Sequence, residues 1–198
     1  MRYGMAIDLG QCIGCYACVI ACKAEHGTPP GVFWAKVMEK EVGRYPAASR
    51  TFLPVLCNHC AEPLCEEVCP SGATYKRKDG LVLINQEACI GCRACMEACP
   101  YGARTFWNGE GTYYPEGATP FELRGNGFIS GTVQKCTFCV ERLDRGLEPA
   151  CVETCPTSCR VFGDLDDPRS AISRLIQGQQ AFQLRPESGT DPSVSYLR

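Results

Sequence analysis

Sixteen of the seventeen cysteines in this chain of 198 residues fall into four compact groups of four. Cysteine at this density has two ordinary explanations, a disulfide scaffold in a secreted protein or bound metal. Because the total is odd, the thiols cannot all pair as disulfides within one chain. In chain order the groups are Cys12-x2-Cys15-x2-Cys18-x3-Cys22, Cys57-x2-Cys60-x4-Cys65-x3-Cys69, Cys89-x2-Cys92-x2-Cys95-x3-Cys99 and Cys136-x2-Cys139-x11-Cys151-x3-Cys155.

The spacing within the groups favours iron–sulfur clusters over zinc. A Cys-x2-Cys-x2-Cys segment wraps one turn of backbone around a cubane, so that three thiolates reach three of its irons. Gly14 and Gly91 suit such a turn, because glycine lets the backbone pass close to inorganic sulfide. Structural zinc sites use isolated Cys-x2-Cys pairs joined by longer loops, a design that the further cysteines at x2 and x3 do not fit. The sequence therefore predicts four [4Fe–4S] clusters, whose irons are bound by the same sixteen cysteines.

The last cysteine of each group is expected to bind the neighbouring cluster rather than its own. In two-cluster bacterial ferredoxins, the cysteine that follows after x3 ligates the other cluster. The same rule applied twice pairs the first group with the fourth and the second with the third, although the x4 and x11 spacings depart from the simple pattern. We therefore expect cluster 1 on Cys12, Cys15, Cys18 and Cys155; cluster 2 on Cys57, Cys60, Cys65 and Cys99; cluster 3 on Cys69, Cys89, Cys92 and Cys95; and cluster 4 on Cys22, Cys136, Cys139 and Cys151.

Short strands between the cysteine groups must position these clusters. Asp79-Gly80 is a hairpin-turn signal between two short strands, and Tyr3–Asp8 and Arg160–Asp164 are predicted as the matching strands near the first and fourth groups. The predicted fold class is α+β, with two pseudo-symmetric two-cluster ferredoxin-like units, one inserted in the other, and long connecting loops. Residues 57–99 form the inserted unit. Residues 1–56 and 100–198 form the outer unit, with its connecting loops, a helix and a C-terminal tail.

Three less regular segments carry weaker predictions. Asp167 and Pro168 are typical of an N-cap and a first helical residue, which predicts a helix to about Gln177. Residues 182–198 show little periodicity, which predicts a tail that wraps over a partner or frays. Residues 107–133 are long for an unstructured loop, which favours contact with a partner or a lid that keeps water off the clusters. The aromatic residues of that last segment include Tyr113, Tyr114, Phe121 and Phe128.

Several polar side chains near the groups leave two interpretations open. His59 lies within the second group, but no thiolate is missing there, so a hydrogen bond is expected rather than iron ligation; His26 has the same interpretation. Cys159 is the cysteine left over, and a small buried apolar residue is favoured over a spare ligand or a redox switch. Four nearby cations either raise cluster potentials or form a solvated charged face. They are Arg93, Lys135, Arg142 and Arg145.

The chain resembles the four-cluster subunit of the dimethyl sulfoxide reductase superfamily, as found in dimethyl sulfoxide, polysulfide, thiosulfate, tetrathionate and arsenate reductases. The resemblance covers residues 3–197 and is carried by Cys57-Asn58-His59-Cys60-Ala61-Glu62-Pro63-Leu64-Cys65, Cys89 to Pro100, Lys135-Cys136-Thr137-Phe138-Cys139, Cys151 to Pro156 and Asp167-Pro168-Arg169-Ser170. Some members replace one cluster cysteine with tryptophan, whereas this chain keeps all sixteen. The resemblance implies a non-catalytic subunit docked against a molybdopterin-containing catalytic subunit, with an integral membrane anchor that provides quinone chemistry.

The expected function is therefore to relay single electrons between a quinone-reactive anchor, or another donor, and the molybdopterin subunit. The chain contains no nucleophile–base pair and no glycine-rich nucleotide loop, so an enzyme activity of its own is not expected. A free soluble polyferredoxin is the main alternative, but such a shuttle needs no long connecting segments like 23–56 and 107–133. An iron–sulfur sensor is a third class, disfavoured because no output domain is visible.

Charge and hydropathy limit the remaining partners and the location. The net charge of −2 offers no basic face for nucleic acid. No apolar stretch is long enough to cross a bilayer and no twin arginine precedes the first group, so any membrane association is expected to pass through partners. The family resemblance favours the outer, periplasmic face, reached by co-export with a partner that carries a twin-arginine signal, with the cytoplasmic face as the alternative.

Overall fold

The computed structural model describes residues 1–111, 113 and 128–198, and Tyr114 and Phe121 lie outside that part. The described chain is a mixture of short strands and short helices. In order these are β1 (Tyr3–Asp8), α1 (Ala17–His26), β2 (Ala35–Val42), β3 (Ser49–Leu56), α2 (Leu64–Glu67), β4 (Thr74–Lys76), β5 (Val82–Ile84), α3 (Ala94–Glu97), β6 (Arg104–Trp107), β7 (Thr132–Lys135), α4 (Val140–Leu143), α5 (Ala150–Glu153), β8 (Arg160–Asp164), α6 (Ala171–Gly178) and β9 (Val194–Leu197).

The two ends of the chain meet in one sheet, with strand order β8-β1-β9. β1 runs antiparallel to β8, with Tyr3 opposite Asp164, and both strands have the predicted bounds. β9 pairs with β1 in parallel, so the prediction of a wrapping or frayed tail is wrong. The tail is held because its apolar side chains are buried: Val194 is fully buried, and the buried Tyr196 hydroxyl donates to the Pro54 carbonyl at 2.9 Å.

Three antiparallel pairs complete the described sheets. β4 and β5 form the predicted hairpin, in which Gly80 adopts φ +83°, a conformation that glycine accepts without a steric penalty. β2 pairs with β3 and β6 with β7, so the two connecting segments contain strand pairs where long loops were predicted. Alternation of inward and outward residues is weak in β2, where only Ala35 is buried, and this explains why the sequence pattern missed the strand.

The helix near the C-terminus begins later than predicted. Ser170, rather than Asp167, is its N-cap, and the Ser170 hydroxyl accepts the backbone N–H of Ser173 at 3.1 Å. Asp167 instead accepts the backbone N–H of Arg169 within the preceding turn. Both residue types are good N-caps, so the local sequence did not distinguish them.

The other helices after α1 are single turns, each of which contains a cysteine or directly follows one. α2, α3, α4 and α5 have four residues each, too few for a helix that is stable in isolation. Cysteines of all but the third group belong to the main hydrophobic core, including Cys18, Cys57 and Cys136. Within the described residues, no helix has the length and apolar character needed to span a membrane.

Candidate metal centres

Three cavities each bring together four of the grouped cysteines, drawn from two different groups. One is lined by Cys12, Cys15, Cys18 and Cys155, and also by the ungrouped Cys159. Another is lined by Cys57, Cys60, Cys65 and Cys99. A further cavity is lined by Cys69, Cys89, Cys92 and Cys95. We call these sites 1, 2 and 3.

The remaining four grouped cysteines form site 4, which is the most enclosed. Cys22, Cys136, Cys139 and Cys151 are all buried. Burial, and then the charges of Cys151 and Cys139, raise the pKa of Cys22, while burial, and then the charges of Cys22, Cys139 and Cys151, raise that of Cys136. Cys22, Cys136 and Cys151 also lie together in the main hydrophobic core.

The cysteine loops of the first and third groups share one unusual backbone conformation. Gly14 and Gly91 have φ of +66° and +68°, and Tyr16 and Arg93, which immediately precede α1 and α3, have φ of +60° and +64°. A Cβ on Gly14 would lie 2.3 Å from the Phe52 ring, and one on Gly91 would lie 2.1 Å from the Gly131 carbonyl oxygen. The glycines are therefore required by their conformation and by close protein neighbours as well.

Gly91→Ala is expected to destabilise the protein by more than the about 1–2 kcal/mol of a left-handed alanine, because backbone must also move away from the new methyl group. Gly72→Ala is the matched control, since Gly72 has φ +65° but no atom within 4 Å of the position that a Cβ would take. Denaturant unfolding of the cluster-loaded variants would measure both costs. Equal losses for the two variants would contradict the close contact at Gly91.

The donors at the four sites fit iron–sulfur clusters. The seventeen thiols are all free of disulfides. Burial raises the pKa of Cys60 to about 12 and that of Cys139 to about 12, so the thiols of a cluster-free chain are protonated and iron must displace those protons. Arg160 Nη2 and His59 Nε2 are buried without a hydrogen-bond partner among the described residues. Sulfur acceptors on bound clusters would be suitable partners for such N–H groups.

Two buried histidines lie close to the cysteines without replacing any of them. His59 accepts the backbone N–H of Val82 through Nδ1 at 3.1 Å and stacks on Phe138 with ring centroids 3.9 Å apart. A hydrogen bond was predicted for His59, and the structure has one. His26 also makes a hydrogen-bond contact, and its partner is a cysteine side chain: Nε2 lies 3.2 Å from Cys139 Sγ. The spacing along the chain, 113 residues, explains why no local pattern revealed that contact.

Aromatic rings cover the outer side of this histidine. Trp34 packs against His26 with ring centroids 4.7 Å apart, and Phe128 packs edge-on against both Trp34 and Trp107. Trp107 and Phe128, from the described ends of the 107–133 segment, thus belong to an aromatic cluster that reaches His26.

The cations named from the sequence divide into buried and exposed ones. Lys135 is 2% exposed, and its Nζ donates to the Cys136 carbonyl at 2.7 Å. Arg142 pairs with Glu25 and Glu153 at the surface. Arg93 lies over the Phe106 ring, 3.7 Å from its centroid, and Arg145 is exposed. Only Lys135 of these four is placed where solvent does not screen its charge.

Sequence reasoning missed two buried arginines, Arg104 and Arg160. Arg104 donates to Cys65 Sγ at 2.9 Å and to the Thr74 hydroxyl at 3.0 Å. Arg160 Nη1 lies 4.0 Å from Cys151 Sγ. Each arginine lies five residues after a cysteine that is followed by proline. This repeated position is the sequence signal that could have identified them.

Cys159 is buried beside site 1 but belongs to none of the four sets. Its Sγ lies 3.5 Å from that of Cys155, and burial raises its pKa to about 12. It stands four residues after Cys155, the position that Ala73 and Ala103 occupy after Cys69 and Cys99. All three residues at this position are small and are buried or partly buried, which supports the apolar interpretation.

The comparisons with known proteins identify the class to which these sites belong. A 4Fe-4S dicluster domain model matches residues 48–114 and 108–165, and a second 4Fe-4S dicluster domain model matches residues 11–73. The chain thus holds four [4Fe–4S] clusters, which confirms the number predicted from its cysteines.

Curated relatives cover essentially the whole chain. The arsenate respiratory reductase iron-sulfur subunit of Shewanella sp. (strain ANA-3) is 43% identical over 226 residues, which span 100% of this chain and 97% of that protein. The B subunit of tetrathionate reductase from Salmonella typhimurium is 44% identical, over 99% of this chain and 72% of that protein. The B subunit of selenate reductase from Mesobacillus selenatarsenatis is 42% identical, over 100% of this chain and 72% of that protein. The chain belongs to the family of four-cluster iron–sulfur subunits of the dimethyl sulfoxide reductase superfamily.

Proposed function

We propose that this protein is the non-catalytic subunit that carries single electrons through four [4Fe–4S] clusters to or from a molybdopterin-containing catalytic subunit. The observation that carries the proposal is the set of three distinct cavities, in each of which four grouped cysteines from two different groups meet. A cubane in which every iron already carries a cysteine thiolate has no open position for a substrate, so such clusters exchange electrons and do not bind reactants. The relatives are named as iron–sulfur or B subunits of reductases, which supports a catalytic partner.

The ligand sets proposed for the clusters are those of sites 1 to 4, with each last cysteine crossing to its neighbour. On this assignment the sites adjoin one another in the order 1, 4, 2, 3. Arg160 interacts with Cys18 of site 1 and Cys151 of site 4. The charge of Cys57 in site 2 acts on the thiol of Cys136 in site 4, so sites 4 and 2 are neighbours. Arg104 interacts with Cys65 of site 2 and Cys95 of site 3.

The central step of this row runs between sites 4 and 2. His59 follows Cys57 by two residues and Phe138 follows Cys136 by two residues, so the stacked pair has corresponding positions in the second and fourth groups. Both residues have positive φ, of +42° and +53°. This correspondence supports the proposed pseudo-twofold relation, in which residues 57–99 form a unit inserted into an outer unit of residues 1–56 and 100–198.

The ends of the row are the proposed entry and exit points for electrons. Cys15 of site 1 and Cys92 of site 3 are exposed, whereas all cysteines of site 4 are buried. Ile13 and Ile90 lie beside them and are 60% and 67% exposed. Exposed apolar side chains next to a redox centre suit a partner surface that excludes water during electron transfer.

The β2–β3 pair supports a fixed partner over a free soluble polyferredoxin. Met38 is 56% exposed and Tyr45, in the turn between the strands, is 94% exposed. Exposed apolar side chains of this kind suit a permanent contact with another subunit.

We infer that the second partner is an integral membrane anchor with quinone chemistry. The complex is proposed to lie on the outer face of the membrane after co-export with a twin-arginine partner.

Affinity purification of the full chain from its native cells is expected to recover a molybdenum-containing subunit in stoichiometric amount. The complex should be brown and should lose visible absorbance when reduced. Tyr45→Glu changes the charge of the exposed turn by −1 and should reduce that recovery. Arg169→Gln, the same change in charge at a side chain that is 91% exposed, is the matched control and should not. Recovery of the wild-type chain alone, with all clusters intact, would overturn the subunit proposal.

A further inference from the structure

Arg104 and Arg160 occupy the same place in two copies of one local motif. The sequences are Cys99-Pro100-Tyr101-Gly102-Ala103-Arg104 and Cys155-Pro156-Thr157-Ser158-Cys159-Arg160. Each arginine is the first residue of a strand, β6 or β8, and they are 5% and 3% exposed. The remaining Cys-Pro motif, at Cys69, has Thr74 at this position, and Thr74 accepts a hydrogen bond from Arg104. The described chain thus has one such arginine for each pair of sites.

Each guanidinium lies between two sites. Arg104 bonds to Cys65 of site 2, and its charge also acts on Cys95 of site 3. Arg160 approaches Cys151 of site 4, and its charge also acts on Cys18 of site 1. Arg160 further contacts Met5 Sδ at 3.4 Å, and its Nη2 has no partner among the described residues.

These buried charges have no carboxylate partner among the ion pairs of the described chain. Arginine stays protonated in proteins, and an unpaired buried charge is strongly unfavourable. Arg104 lines the cavity of site 2 and Arg160 lines that of site 1. The thiolate-ligated sites are therefore the counter-charges of both arginines.

We propose that Arg104 and Arg160 each raise the reduction potentials of the two clusters that flank them, Arg104 for clusters 2 and 3 and Arg160 for clusters 1 and 4. The proposal rests on the proposed ligand sets. Reduction adds negative charge to a cluster, and a fixed positive charge nearby stabilises that reduced state. Because one guanidinium serves both clusters, their potentials rise together. A shift that both clusters share leaves the free-energy change of electron exchange within the pair nearly unaltered.

The test is a redox titration of the anaerobically purified full chain, followed by electron paramagnetic resonance. Signals are assigned with one Cys→Ser variant for each cluster. Arg104→Gln is expected to lower the potentials of clusters 2 and 3 only, and Arg160→Gln those of clusters 1 and 4 only. We expect about a tenfold change in the ratio of oxidised to reduced cluster at a fixed poise, equal to about 59 mV for a one-electron couple. Arg104→Lys and Arg160→Lys keep the charge and should stay near wild type, as should Arg169→Gln at the surface.

Unchanged potentials in the Gln variants, or equal shifts of all four clusters, would overturn the proposal. If a Gln variant does not retain its clusters, the Lys variants decide the matter. Full iron content and near wild-type potentials with lysine support an electrostatic role, whereas lysine variants that also lose clusters indicate packing and contradict it. Failure of the ligand sets would instead appear in the Cys→Ser assignments, so the two proposals fail separately.

Discussion

Removing the iron from this protein is expected to abolish its cooperative unfolding transition. Four of its helices are single turns, and three of its described sheets have only two strands, an arrangement that is marginal in water by itself. Zinc binding to the structural sites of zinc-finger peptides contributes about 10–16 kcal/mol, so a metal site can supply as much as the whole stability of a domain, about 5–15 kcal/mol. Circular dichroism and calorimetry of the chelator-treated chain would measure the loss.

The control for that experiment is reconstitution with iron and sulfide, which should restore the transition. An iron-free chain that unfolds cooperatively at a similar temperature would contradict the prediction.

Acid should also favour cluster loss. Burial raises the pKa of Cys60 to about 12 and of Cys139 to about 12, so cluster binding at neutral pH releases protons, and its apparent affinity falls as pH is lowered.

The second large effect is expected from Cys22→Ser, which should empty site 4 and leave site 1 loaded. Although Cys22 lies in the first group, the charges of Cys151 and Cys139 act on its thiol. The iron content should fall from about sixteen to about twelve per chain, since each cubane holds four irons. Anaerobic alkylation and peptide mapping should then label Cys136, Cys139 and Cys151.

The matched control is Cys159→Ser, which changes a buried cysteine outside all four sets and should preserve the full iron content. Cys155→Ser is the reciprocal variant, and it should expose the cysteines of the first group to alkylation. Labelling of Cys12, Cys15 and Cys18 in the Cys22→Ser variant would show that the last cysteine binds the cluster of its own group. That result would disprove the crossing.

Much of the fold was predictable where the signal is local. The strands Tyr3–Asp8 and Arg160–Asp164 and the hairpin at Asp79-Gly80 occur as predicted, because alternation and turn chemistry act over a few residues. The start of α6 and the fate of the tail were wrong. Two acceptable caps competed at the helix, and β9 is a strand only because β1 offers it an edge and a buried face.

By itself, the sequence determined the type and number of the clusters, since thiol count and spacing limit which metal centre can form. Only the tertiary structure decided what lies between the sites. It brought His26 to Cys139, stacked His59 on Phe138, and buried two arginines between sites that are distant along the chain. Spacing governs geometry over one turn of backbone. The charge and the water around each site depend on side chains that become neighbours only when the chain folds.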